Sequence, residues 1–139
     1  MTPGPAGSAT LSTHVLDATS GRPAAGVPVR LERRGPDGWS PAGAGHTDAD
    51  GRLRLAGGAE GRESGQADQA GQEFAAGSGP GFEPGVYRIT FDTGAYFQAR
   101  GVASFYPEVT VTFELTGPGE HYHVPLLLSP FAYSTYRGS

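Results

Sequence analysis

From Val109 to Leu115 the chain alternates without a break. Val109, Val111, Phe113 and Leu115 fall on one side, and Thr110, Thr112 and Glu114 on the other. Only an extended strand sends every second side chain to one face, so this run can bury its apolar half and leave the polar half to solvent. Shorter runs carry the same signature at residues 11–16, at 27–31, after Trp39, at Arg52–Leu55, at 86–91, at His121–Ser129 and at 132–136. Turn signals divide them: Ser20-Gly21-Arg22-Pro23, Gly35-Pro36-Asp37-Gly38, Asp48-Ala49-Asp50-Gly51, Gly117-Pro118-Gly119-Glu120 and Ser129-Pro130. Residues 93–100 lose the alternation and stop before Gly101, which predicts a short helix. About eight short strands spaced by turns, with one short helix, predict an all-β sandwich.

The length of 139 residues suits one domain, and 37 % hydrophobic residues suffice for its core. Gly 23 and Pro 12 argue against a helical bundle. Residues 57–83 break the strand pattern: glycine and alanine dominate, and Phe74 and Phe82 are the only large apolar side chains. Such a segment buries too little surface to offset its chain entropy, so it is expected to be a surface insertion, with room for a short helix at 66–76. Residues 1–9 read as a flexible lead to a domain spanning 10–139.

The formal charge is −4, and the 57–83 segment accounts for it, with Glu60, Glu63, Asp68, Glu73 and Glu83 against only Arg62. Charge therefore offers nothing to a nucleic acid or an anionic membrane. With no cysteine, disulfides, thiolate nucleophiles and cysteine–zinc sites are excluded. No apolar stretch approaches the ~20 residues that span a bilayer, and the first residues lack the pattern of a signal peptide. A cytoplasmic protein is expected.

Two of the four histidines stand near the end, His121 and His123, one residue apart. Alternation puts them on one face of a strand, roughly 6–7 Å apart, with Tyr122, Val124, Leu126 and Leu128 on the core face. His14 shares a face with Ser12 and Leu16, away from Leu11 and Val15, whereas His46 stands apart from any partner. Arg52 and Arg137 could clamp an anion through their guanidinium forks or be ordinary surface charges. Tyr136 could donate to a ligand or be an edge aromatic. Asp48 and Asp50 are expected to cap their own turn. The His-x-His spacing is also compatible with a zinc site completed by His14, but no carboxylate ligand lies near, and neither metal nor cofactor is expected. Gly-x-Ser-x-Gly does not occur.

Several of these segments together resemble the 5-hydroxyisourate hydrolase family of transthyretin-like proteins. They are Ser12-Thr13-His14-Val15-Leu16-Asp17 with Gly21-Arg22-Pro23-Ala24, then Thr47-Asp48-Ala49-Asp50-Gly51-Arg52, then Phe105-Tyr106-Pro107-Glu108-Val109, and the last nineteen residues ending Tyr136-Arg137-Gly138-Ser139. The resemblance runs from about residue 10 to the end, apart from the 57–83 insertion, which is longer than the family pattern. It implies a transthyretin-like eight-stranded sandwich and a homotetramer with active sites at the dimer–dimer interface. The terminal Tyr-Arg-Gly-Ser separates these hydrolases from the hormone carrier transthyretin, so a non-catalytic carrier of small aromatic ligands is the alternative.

The implied reaction is hydrolytic opening of the six-membered ring of 5-hydroxyisourate, giving 2-oxo-4-hydroxy-4-carboxy-5-ureidoimidazoline. By the same resemblance His14, Arg52, His123 and Ser139 are the expected catalytic residues, and His14, Arg52, His121, Tyr136 and Arg137 the expected substrate contacts. Acyl transfer to water needs a base, a partner for the oxyanion and a clamp. Either His123 or His14 can take the proton from water, Arg52 would neutralise the ring's charge, Tyr136 would hydrogen-bond it, and Ser139 with its carboxylate would orient neighbouring groups.

Overall fold

The structure, a computed structural model, describes residues 9–55, 81–117 and 119–138. These form two sheets and one short helix. The strands are β1 (Thr10–Asp17), β2 (Arg22–Pro23), β3 (Pro28–Gly35), β4 (Gly38–His46), β5 (Arg52–Leu55), β6 (Gly85–Phe91), β7 (Val109–Leu115), β8 (His121–Ser129) and β9 (Ala132–Thr135), with helix α1 (Thr93–Ala99) between β6 and β7. The first sheet runs β2-β1-β8-β9, with β5 also on β1; the second runs β4-β3-β6-β7. Alternation therefore located the strands and the helix correctly. The two-residue β2 is an addition: Arg22 and Pro23 leave the expected turn to pair with Asp17 and Leu16.

Strand β1 is the hub of the first sheet. Its Leu11, Thr13, Val15 and Asp17 are buried, while Ser12, His14 and Leu16 on the other face are half-buried. It pairs with β8 in parallel, from Thr10 opposite His121 to Asp17 opposite Leu128. Its other edge takes β5 antiparallel, Arg52 opposite His14 and Leu55 opposite Leu11. In the second sheet Pro36 and Asp37 form the tip of the β3–β4 hairpin, and Gly38 follows at φ 119°, where glycine meets no side-chain clash. Between the sheets lie Leu11, Val15, Leu31, Ile89, Phe91, Tyr122 and Leu126, all essentially inaccessible to water.

The expected lead and insertion need new margins. Ala9 and Phe82 pair as an antiparallel bridge, with N···O distances of 2.9 and 2.6 Å, and both are buried in the core. The sandwich thus includes one residue of the expected lead and reaches back into the expected insertion. The possible helix at 66–76 lies outside the described residues.

Helix α1 starts at Asp92, whose carboxylate accepts from the backbone N–H of Ala95, and ends where Arg100 gives way to Gly101 at φ 70°. Its Tyr96 and Phe97 are buried. The Tyr96 hydroxyl donates to Oδ2 of buried Asp17 at 2.8 Å, while Oδ1 accepts from the N–H of Thr19 at 2.9 Å. One carboxylate therefore organises the turn after β1 and anchors the helix. Burial, and then this bond, push the Tyr96 phenol up to about 12. Tyr96→Phe would leave Oδ2 without its donor, and a bond to a charged group contributes about 1.5–3 kcal/mol. Chemical denaturation should show a loss of that order with an unchanged slope.

Candidate active site

The first sheet turns a polar face outward, and strand register lines up its groups. Arg54 lies opposite Ser12 across β5 and β1. Ser12 lies opposite His123 across β1 and β8, and His123 forms a bridge with Gly138. One row thus crosses four segments of chain: Arg54, Ser12, His123, Gly138. A parallel row holds Arg52, His14 and Pro125, and a third holds Thr10 and His121.

Arg52 owes its place to the turn before it. Oδ1 of Asp48 accepts from the N–H groups of Asp50 and Arg52 at 2.8 and 3.0 Å, so Asp48 caps the turn as its sequence suggests. Gly51 must be glycine: its φ is 75°, and a Cβ there would stand 2.5 Å from the carbonyl oxygen of Val15.

The two histidines are joined through one hydroxyl. Ser12 Oγ lies 2.8 Å from His123 Nδ1 and 2.9 Å from His121 Nε2. Thr10 Oγ1 is 2.5 Å from His121 Nδ1. His123 is half-buried and His121 exposed. Burial, then the positive charge of His121, His14 and Arg52, hold His123 below the ordinary imidazole range. Burial, then Arg54, do the same for His121. Both rings are therefore neutral near pH 7 and able to accept a proton. Among the described residues nothing hydrogen-bonds His123 Nε2, and no three His, Asp or Glu side chains converge to hold a metal ion.

The chain end divides. Gly138 donates its N–H to the carbonyl of His123 at 2.8 Å and lies against the imidazole. The Arg137 guanidinium sits 4.5 Å over the ring of Tyr122 and binds Glu120 at 3.2 Å. Its described partners are thus Tyr122 and Glu120 rather than the histidine row. Tyr136 is 58 % exposed and, with Arg137, borders a cavity of about 230 Å³ lined by Val111, Phe113, Tyr122 and Val124. His123 borders that cavity too. Ser139 lies outside the described residues.

Alternation put His121 and His123 on one outward face and His14 away from the core, and family resemblance joined Arg52 to them; the strand register sets Arg52 opposite His14 and lines up the histidines beside them. Sequence reasoning passed over Thr10, Ser12 and Arg54. Arg54 was within reach, since it is two residues from Arg52 on a strand; Thr10 and Ser12 depended on a parallel pairing that local pattern does not reveal.

Residues 11–138 match the model of the HIUase/Transthyretin family. The chain belongs to this family. A 5-hydroxyisourate hydrolase of Salmonella typhi is 44 % identical over 134 residues, covering 96 % of this chain and 84 % of that protein. Among solved structures, the Klebsiella pneumoniae 5-hydroxyisourate hydrolase superposes with a TM-score of 0.70 at 33 % identity, covering 94 % of this chain and 99 % of that one. Sea bream transthyretin, solved in complex with thyroxine, superposes equally well, with a TM-score of 0.70 at 32 % identity over 92 % and 93 % of the two chains. The HIUase/Transthyretin fold therefore accommodates both an enzyme and a hormone-binding protein, and the residues of the site must decide between them.

Within this family fold, Gly138 is the spacer that seats His123. A Cβ on it would stand 2.6 Å from His123 Cδ2 and 3.3 Å from Pro125 Cγ. Gly138→Ala should displace the ring from Ser12, seen as a shift of the His123 side-chain NMR signals, with the thermal midpoint lowered by only about 5 °C or less. An unmoved ring would mean that the chain end yields instead.

Proposed function

We propose that this protein hydrolyses 5-hydroxyisourate to 2-oxo-4-hydroxy-4-carboxy-5-ureidoimidazoline in urate breakdown. The observation that carries the proposal is the pair of histidines joined through Ser12 beside Arg52 and His14 on the outward face of the first sheet. A carrier of small aromatic ligands has no use for two imidazoles set beside an arginine and placed to take a proton. The hydrolase relatives add the substrate.

His123 acts as general base. It takes a proton from water as the water oxygen bonds to the acyl carbon of the substrate ring. The carbonyl oxygen gains negative charge, which Arg52 faces and stabilises. The acyl carbon–nitrogen bond then breaks, and the proton held by His123 passes through His14 to the departing nitrogen, which restores both rings. The sum is addition of one water across that bond. Tyr136 hydrogen-bonds the substrate, Ser139 with its carboxylate orients neighbouring groups, and His121 supports His123. Arg137 serves by holding the chain end through Tyr122 and Glu120.

The working form is a homotetramer in the cytoplasm, with a second dimer closing over the outward face. Two features support assembly. Among the described residues β7 and β9 are edge strands, each paired on one side only, and β9 is exposed along its whole length. Beside them Phe105 and Phe131 are 68 % and 65 % exposed. Among the described residues no helix is long and apolar enough to cross a membrane.

Ultraviolet decay of freshly prepared 5-hydroxyisourate tests the reading, and His123→Ala should cut the enzymatic rate by about 100-fold or more. If the intact protein leaves the spontaneous decay unchanged, the carrier reading takes its place. The pH profile of kcat/KM should fall on the acid side with a midpoint below the ~6.5 of a free imidazole, because a lowered His123 pKa preserves the neutral base to lower pH. Light scattering should give the mass of four chains, and a fully active monomer would remove the interface from the site.

A further inference from the structure

The Ser12 hydroxyl has one hydrogen to share between two rings. It lies within hydrogen-bond distance of His123 Nδ1 and His121 Nε2, and Thr10 Oγ1 reaches the remaining nitrogen of His121. Ser12 can donate to one ring, and the other ring must then donate to Ser12. A neutral imidazole carries its hydrogen on one nitrogen only, so the direction chosen at Ser12 passes through His121 to Thr10. Run one way, both rings carry hydrogen on Nδ1: His123 donates to Ser12, Ser12 to His121, and His121 to Thr10. Run the other way, both carry it on Nε2, and His123 has no free lone pair to offer water.

We propose that Ser12 is a positioning residue that locks His121 and His123 into the same tautomer, hydrogen on Nδ1, and so keeps the Nε2 lone pair of His123 free for the proton it must accept. The inference rests on the reading of His123 as general base. It also provides an exit for the proton. When His123 gains a proton on Nε2, its Nδ1 proton moves to Ser12 Oγ, the Ser12 proton moves to His121 Nε2, and the positive charge ends on His121. Nothing is oxidised or reduced; one proton enters at the half-buried ring and one positive charge appears at the exposed one. The titratable and charged groups around the relay are His14 on β1 and Arg52 and Arg54 on β5. Gly138 packs against His123 and brings no charge, while Glu114, Tyr136 and Arg137 share with His123 the lining of the cavity.

Nitrogen-15 NMR of the full-length protein, at a pH where the imidazoles are neutral, reads the tautomers directly. His46, exposed and without a side-chain hydrogen bond among the described residues, is the internal reference. His121 and His123 should both report hydrogen on Nδ1. Hydrogen on Nε2 of either ring, or both rings averaging like His46, would overturn the proposal. In turnover, Ser12→Ala should lower kcat about tenfold or more with KM within about twofold. Its acid limb should move to lower pH, because an oxygen accepting from Nδ1–H also steadies the protonated ring. Ser12→Thr keeps the hydroxyl and should recover most of the rate and the original profile. An alanine variant with unchanged rate and profile, or a threonine variant as slow as alanine, would refute the role. Should Ser12→Ala not fold, the wild-type tautomers and the threonine variant still decide. Should the wild-type protein fail to accelerate decay, the hydrolase reading falls, while the tautomer measurement stands on its own.

Discussion

The parallel pairing of β1 with β8 is the contact on which the site depends. In register it sets Thr10 against His121 and Ser12 against His123. The same β1 carries β5 on its opposite edge, which sets Arg52 against His14. A slip of one residue in either ladder would turn a whole row of side chains to the other face, sending histidines into the core and leucines out to water. The buried set of Leu11, Val15, Tyr122, Leu126 and Leu128 therefore stabilises the fold and fixes the site geometry through one constraint.

Most of the strand pattern was legible because alternation is a local property. It assigned His121 and His123 to the outward face and Tyr122 and Val124 to the core before any partner strand was known. The grouping of the four terminal residues came from family resemblance rather than from alternation, and the structure sets Arg137 over the ring of Tyr122. Which strand lies beside which is a long-range property. No feature of residues 10–17 announces that they will run parallel to 121–128, so Ser12 looked like an ordinary polar residue beside His14. Composition misled at Ala9 and Phe82, where glycine-rich or proline-rich neighbours hid two residues that pair in the core.

Electrostatics on the outward face are one-sided. Arg52, Arg54 and three histidines share it, and the acidic partners of the described ion pairs bind other arginines. Burial, and then the positive charge of this surface, make His121 and His123 costly to protonate, which is the physical reason these two rings remain bases.

The Ser12–His123 hydrogen bond joins residues 111 positions apart in sequence. Contacts of such separation form only after the intervening chain has been brought to order, and they slow folding accordingly. The two imidazoles and the hydroxyl that joins them are therefore assembled only when the two ends of the sandwich have met. Catalytic competence in this protein reports that long-range closure, which no local folding event can supply.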